Sequence, residues 1–227
     1  MARKTVSALF LIGVNTIPLF GVLFFGWSLF SILLLYWFEN GIIGFFNVLK
    51  IALAARPMFG ESNFTINGRP ANQMGKVFLV PFFIFHYGIF WLVHGVFVVV
   101  FFGVLGGQMF GDAEPAEIGS GFRGFDPEGV AIAAASLALS HGVSFFVNFI
   151  REGEYLNVSP DQQMFRPYGR VVVLHVTILG GGFLAAYLGT PLASLVLLVV
   201  LKTAIDLRAH FKEHREAKAN PDEAASA

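Results

Sequence analysis

Apolar runs near 20 residues long recur along this chain, and about that length of helix is needed to cross the hydrocarbon core of a bilayer. Six can be counted, over residues 6–25, 28–54, 77–103, 129–150, 171–188 and 192–207. Of the 227 residues, 56% are hydrophobic and only 13% charged, where an ordinary soluble domain carries about 25% charge. A chain of this kind would expose too much apolar surface to stay dissolved in water. The expected fold is all-α: a polytopic transmembrane bundle of six helices over residues 1–210, followed by a charged cytoplasmic tail over 211–227 with a disordered end. Arg3 and Lys4 ahead of an apolar run resemble a signal peptide. No small-x-small cleavage site follows and the next run arrives almost at once, so the first run is expected to be a retained span.

Charge sets the orientation. Arg3 and Lys4 precede the first span, and Arg56, Arg69 and Lys76 follow the second. Arg151, Arg166 and Arg170 follow the fourth, and Arg208, Lys212, Arg215 and Lys218 occupy the tail. These regions share one face of a six-span topology. The other face holds Asp112, Glu114, Glu117 and Asp126 against Arg123, and an uncharged Gly189-Thr190-Pro191 turn. By the positive-inside rule both termini are cytoplasmic, in a multi-pass protein of the cell's inner membrane.

The absence of cysteine excludes disulfides, thiolate metal sites and iron–sulfur clusters. A net charge of zero gives no basic face for nucleic acid. What remains for chemistry is histidine, carboxylate and amide, and these residues lie inside the apolar runs. Glu39 and Asn40 sit at the centre of the second, with Asn47 nearer its end. A carboxylate near the bilayer midplane costs a few kcal/mol on insertion scales.

Depths follow from a rise of about 1.5 Å per residue. His86 and His141 each fall about 13 Å from the cytoplasmic face, level with Glu39, and His94 about 25 Å deep. His175 falls in the inner third. With Asn47, Asn148 and Asp206 it forms a second tier toward the cytoplasm. Lys202, Asp206 and His210 make one stripe down the sixth span. Asn40 and Asn47 are seven residues apart and share a helix face, as do His141 and Asn148.

Carboxylate and imidazole from different helices suit zinc or iron, and a bound cation would offset the charge of Glu39. Glu39, His86, His141 and His175 are the candidate ligands, with Asp206 as catalytic base or further ligand. Asn40, Asn47, Asn148 and His94 are expected to orient them. This describes a metal-dependent membrane hydrolase or oxidase acting on a lipid-like or membrane-embedded substrate. Two alternatives stand beside it. His86 and His141 could be the axial ligands of haem b in an electron-transfer protein, or the polar tier could serve a proton- or ion-coupled transporter. The blander reading is that each buried polar residue hydrogen-bonds a neighbouring helix, with Glu39 protonated. The glycine pairs Gly41/Gly44 and Gly88/Gly95, and Gly180-Gly181-Gly182, read as close packing.

The run YWFEN from Tyr36 onward to Asn47, HYGIFWLVHG from His86 to Gly95, SHG with Asn148, and PYGRVVVLH ending at His175 together resemble a family of six-span prokaryotic membrane proteins of unknown function. The resemblance covers most of the chain and implies no activity. The nucleophile motif of the six-span rhomboid proteases is missing. The seven-span zinc hydrolases of the ceramidase and receptor types differ in span number and ligand order, so they are similar in site chemistry only.

Overall fold

The computed structural model describes residue 21 and residues 23–58, 65–66, 69–106, 118–188, 196–197, 199–201 and 203–204. Most of the first and sixth expected spans, and the candidate residues Lys202, Asp206 and His210, lie outside the described residues.

Four long helices carry the described part. They are α1 (Leu29–Leu53), α2 (Ala71–Phe97), α3 (Pro127–Ser144) and α6 (Tyr168–Leu188). α2 runs on as a π-helical stretch, Val98–Val104, and α3 as another, Phe145–Arg151. Among the described residues, Leu29–Leu53, Gly75–Val104 and Pro127–Arg151 are long and apolar enough to cross a membrane. These match the second, third and fourth expected spans. α6 covers the fifth and starts three residues earlier than expected.

Local signals explain the helix starts. The Ser28 side chain accepts from the Ser31 N–H at 3.4 Å to cap α1. Asp126 accepts from the Gly129 N–H at 3.0 Å, with Pro127 in the first turn and Glu128 beside the positive end of the α3 dipole.

The polar stretch before α2 contains a two-residue antiparallel ladder, β1 (Thr65–Ile66) with β2 (Arg69–Pro70). The polar segment between α3 and α6 is not the open loop the sequence suggests. It folds into two short helices, α4 (Glu154–Asn157) and α5 (Pro160–Phe165), whose residues Pro160, Gln163 and Met164 are buried. Pro160 at the α5 start and Pro167 just beyond its end set these limits.

Exposed apolar stripes mark the lipid-facing sides. Ile132, Leu139 and Phe146 recur every seven residues along α3 and its π-helical continuation and are each more than 60% exposed. An apolar stripe of that kind is stable against lipid tails and not against water. Two apolar clusters hold the ends of α1. Phe30 and Leu33 pack with Val98, Phe102, Val130 and Ile178, while Ile51 packs with Phe83, Tyr87 and Met164.

Between the clusters, α1 and α2 are joined by a reciprocal tryptophan pair. The indoles of Trp37 and Trp91 stack with centroids 4.3 Å apart and planes 3° from parallel. Trp37 Nε1 donates to the Trp91 carbonyl at 2.6 Å, and Trp91 Nε1 to the Trp37 carbonyl at 2.9 Å. Both indole donors are thus satisfied without water. The stack needs room that glycine supplies: a Cβ on Gly95 would stand 2.5 Å from the Trp37 ring, and one on Gly41 2.8 Å from Trp91. The close-packing reading holds at these positions, with an aromatic ring in place of a second backbone. At Gly88 a Cβ would meet nothing within 4 Å.

Gly95→Val should therefore overpack the stack, at a cost of about 1–3 kcal/mol. The expected outcome is a clear drop in the unfolding midpoint of the detergent-purified protein, with Gly88→Val losing markedly less.

Candidate functional site

The carboxylate of Glu39 is met by an arginine. Arg170 Nη1 on α6 donates to Glu39 Oε1 at 3.0 Å, and His141 Nε2 on α3 lies 3.9 Å from the same oxygen. The Glu39 side chain is only 15% exposed. Glu39 stands about 15 Å from the start of α1 and about 21 Å from its end. Charge counting assigns Arg170 to a cytoplasmic loop, yet its guanidinium reaches a carboxylate in mid-helix.

The segment before α6 explains this. Backbone N–H groups of Ala55 and Arg56 donate to the carbonyls of Tyr155 and Val158 at 2.7 and 3.3 Å. Farther along, Gln163 Nε2 donates to Asn47 Oδ1 at 2.6 Å, and then Arg170 reaches Glu39. As the chain advances from 155 to 170, its partners on α1 and just beyond its end retreat from 55 and 56 through 47 to 39. The segment climbs back along α1, so α6 starts well inside the level of the α1 end.

The same displacement corrects the depth expected for His175. It does not join Asn47 in an inner tier. His94 Nε2 and His175 Nδ1 are 2.8 Å apart. His94 Nδ1 lies 2.5 Å from the Phe90 carbonyl, which can only accept, so Nδ1 carries a proton. In neutral His94, Nε2 then accepts from His175 Nδ1–H, which leaves the lone pair of His175 Nε2 without a partner among the described residues. His86 makes a third centre. Its Nδ1 shares a hydrogen bond of 2.9 Å with the Tyr168 hydroxyl, and its ring stacks on Phe82 with centroids 5.4 Å apart.

The four expected ligands are therefore distributed over three centres: Glu39 with His141, His86 with Tyr168, and His175 with His94. Among the described residues no three His, Asp or Glu side chains converge in a way that could hold a metal ion. Of the residues expected to orient ligands, Asn40 Nδ2 donates to the Tyr36 carbonyl at 2.9 Å, and the Asn40 carbonyl accepts from the Tyr87 hydroxyl at 2.8 Å. Asn148 Nδ2 donates to Ser144 Oγ at 3.3 Å on its own helix. Asp206 lies outside the described residues.

Beside the Glu39 centre is a polar cavity of about 180 Å³, lined among others by Asn47, Lys50, His141, Gln163, Arg166 and Arg170. Arg166 Nη1 donates to Glu154 Oε1 at 2.5 Å. Lys50 lies over the Phe149 ring, 5.1 Å from its centroid, and forms no ion pair among the described residues. Sequence reasoning passes over Lys50, Gln163, Arg166, Tyr168 and Arg170 as site residues. The available signal is that Pro160 and Pro167 bracket an eight-residue segment with helix-start and helix-stop chemistry.

Apolar helices of membrane-crossing length, with polar centres between them, define the class: an α-helical integral membrane protein with an ion pair set in mid-helix. A model for a family of unknown function (DUF6498) matches residues 1–223, and the chain belongs to that family. No curated protein and no solved structure matches the chain.

If Arg170 neutralises Glu39, Arg170→Met should destabilise the protein more than the double variant Glu39→Gln/Arg170→Met. The expected coupling from a double-mutant cycle in detergent is on the order of 0.5–3 kcal/mol. Additive single effects would show that the pair carries no such energy.

Proposed function

We propose that this is a multi-pass protein of the cell's inner membrane, with six spans and both termini cytoplasmic, that draws a lipid-like substrate from the bilayer and presents its polar end to His141 and Glu39. The carrying observation is the adjacency of two cavities. An apolar groove of about 460 Å³ runs between α1 and α2, lined among others by Phe38, Phe45, Phe83, Tyr87, Gly88 and Trp91, and touched by Ala138 of α3. Phe46 lines both this groove and the polar cavity that holds His141 and Arg170. An amphiphile lying across Phe46 has its chain in one and its polar end in the other.

The chemistry such a site supports is proton transfer by His141, with Glu39 orienting the imidazole and stabilising its protonated form. A zinc or iron centre at the same place fits less well. Arg170 donates to the very Glu39 oxygen that faces His141, so a cation already occupies that side of the carboxylate. The third donor for a metal would have to come from Asp206 or another residue outside the described part.

Two measurements test the reading. A photoactivatable lipid should label groove residues such as Phe45 and Ile84 more heavily than the outer α3 residues Leu139 and Phe146. Gly88→Leu or Ala138→Phe, which put bulk into the groove, should cut that labelling several-fold. Labelling spread evenly over all lipid-facing positions overturns the groove as a binding site. For the topology, the chain has no native cysteine, so single cysteines report cleanly. Cysteines at residues 62 and 222 should react with an impermeant maleimide only after the inner face is opened, and one at residue 113 in intact spheroplasts.

A further inference from the structure

The polar cavity carries more positive charge and more unspent hydrogen-bonding capacity than the fold uses, and we infer that it takes a phosphate-monoester headgroup carried by a membrane amphiphile. This rests on the lipid-like substrate proposed above and adds the class of its polar end. Three basic side chains line the cavity, Lys50, Arg166 and Arg170, with His141 beside them. Two carboxylates answer them: Glu154 holds Arg166, and Glu39 holds Arg170. Lys50 forms no ion pair among the described residues and feels Glu154 only at longer range, and His141 adds a further positive charge when protonated. A phosphate monoester carries about −1.5 to −2 at neutral pH, which matches that excess. A lone carboxylate headgroup would be satisfied by one arginine.

The second observation is independent of charge. Asn47 is 4% exposed and Gln163 2% exposed, and both line the cavity. Their amides bond to each other, yet Asn47 Nδ2 and Gln163 Oε1 have no partner among the described residues. Turning both amides over exchanges the atoms and changes nothing in the count, since one N–H₂ group and one carbonyl remain unspent. A buried polar atom without a partner is a net cost to the fold. The free amide N–H suits a phosphoryl oxygen. The free carbonyl accepts from a hydroxyl, such as one on glycerol or on a monoprotonated phosphate. Both Arg166 and Arg170 remain about half exposed in their side chains, so their remaining N–H groups are open to a ligand.

The test is binding to the full-length protein in neutral detergent, read by native mass spectrometry and by the thermal shift. Three probes are compared: phosphatidic acid, diacylglycerol with the same acyl chains, and inorganic phosphate. Phosphatidic acid should bind the wild type most tightly. Lys50→Met leaves no carboxylate behind unpaired, and should weaken it about tenfold. Asn47→Leu should weaken it as well, and Gly88→Leu should do so through the chain. Diacylglycerol binding as tightly as phosphatidic acid, with no effect of Lys50→Met, overturns the phosphate assignment and leaves the groove reading standing. Inorganic phosphate binding as tightly as the lipid, with Gly88→Leu silent, overturns the lipid source and the groove reading with it. Failure of all three probes on folded protein overturns both.

Discussion

One ion pair sets the terms for the rest of the structure. A carboxylate in the middle of a membrane helix is costly unless a cation or a proton meets it. Here Arg170 meets Glu39 at 3.0 Å, and it can do so only because the chain ahead of α6 folds back along α1. The contacts of Ala55, Arg56 and Asn47 with that returning segment are thus conditions for the pair at Glu39. α1 and the residues just past its end supply one side of all of them, and α1 also supplies half of the tryptophan stack.

Much of the architecture is legible in the residues. The length and apolarity of residues 28–54, 77–103 and 129–150 mark three spans to within a few residues of the helices found. The polar positions Glu39, Asn47 and His141 are also identifiable, because buried charge and amide in an apolar run demand partners. The partners themselves are not legible. Depth counting assumes that each span starts at the membrane edge. It fails for α6, whose start stands level with His86 through the Tyr168 contact. The error sets His175 apart from His94 and Arg170 apart from Glu39, which the structure joins. Both follow from one re-entrant segment whose composition is polar enough to read as a loop.

Imidazoles at comparable depth on several helices suggest a shared metal, because a cation would offset the charge of Glu39. The structure solves the problem with a guanidinium, and the imidazoles then divide among separate partners: a carboxylate, a phenol and a second imidazole. In the last of these the Phe90 carbonyl fixes the proton on His94 Nδ1, and through it the tautomer of His175. A ring oriented this way keeps an open Nε2. The His94–His175 centre is separate from the cavity at Glu39, and each of its two rings is placed by a helix of its own.

The lining of that cavity is the part that folding alone does not explain. Apolar residues at both Asn47 and Gln163 would pack α1 against α5 without leaving a polar atom unpartnered there, and Lys50 would cost less with a carboxylate paired to it. Replacing buried polar pairs by well-packed apolar groups is often neutral or stabilising. The Asn47–Gln163 pair instead keeps two atoms unspent, and Lys50 stays unpaired among the described residues, in a cavity that opens beside an apolar groove. Water can fill such a space when it is empty. An anion that displaces the water gains the charges and the amide together, and its gain is largest where the protein has left these groups unsatisfied. The groups that weaken the fold at this cavity are the ones that would select what enters it.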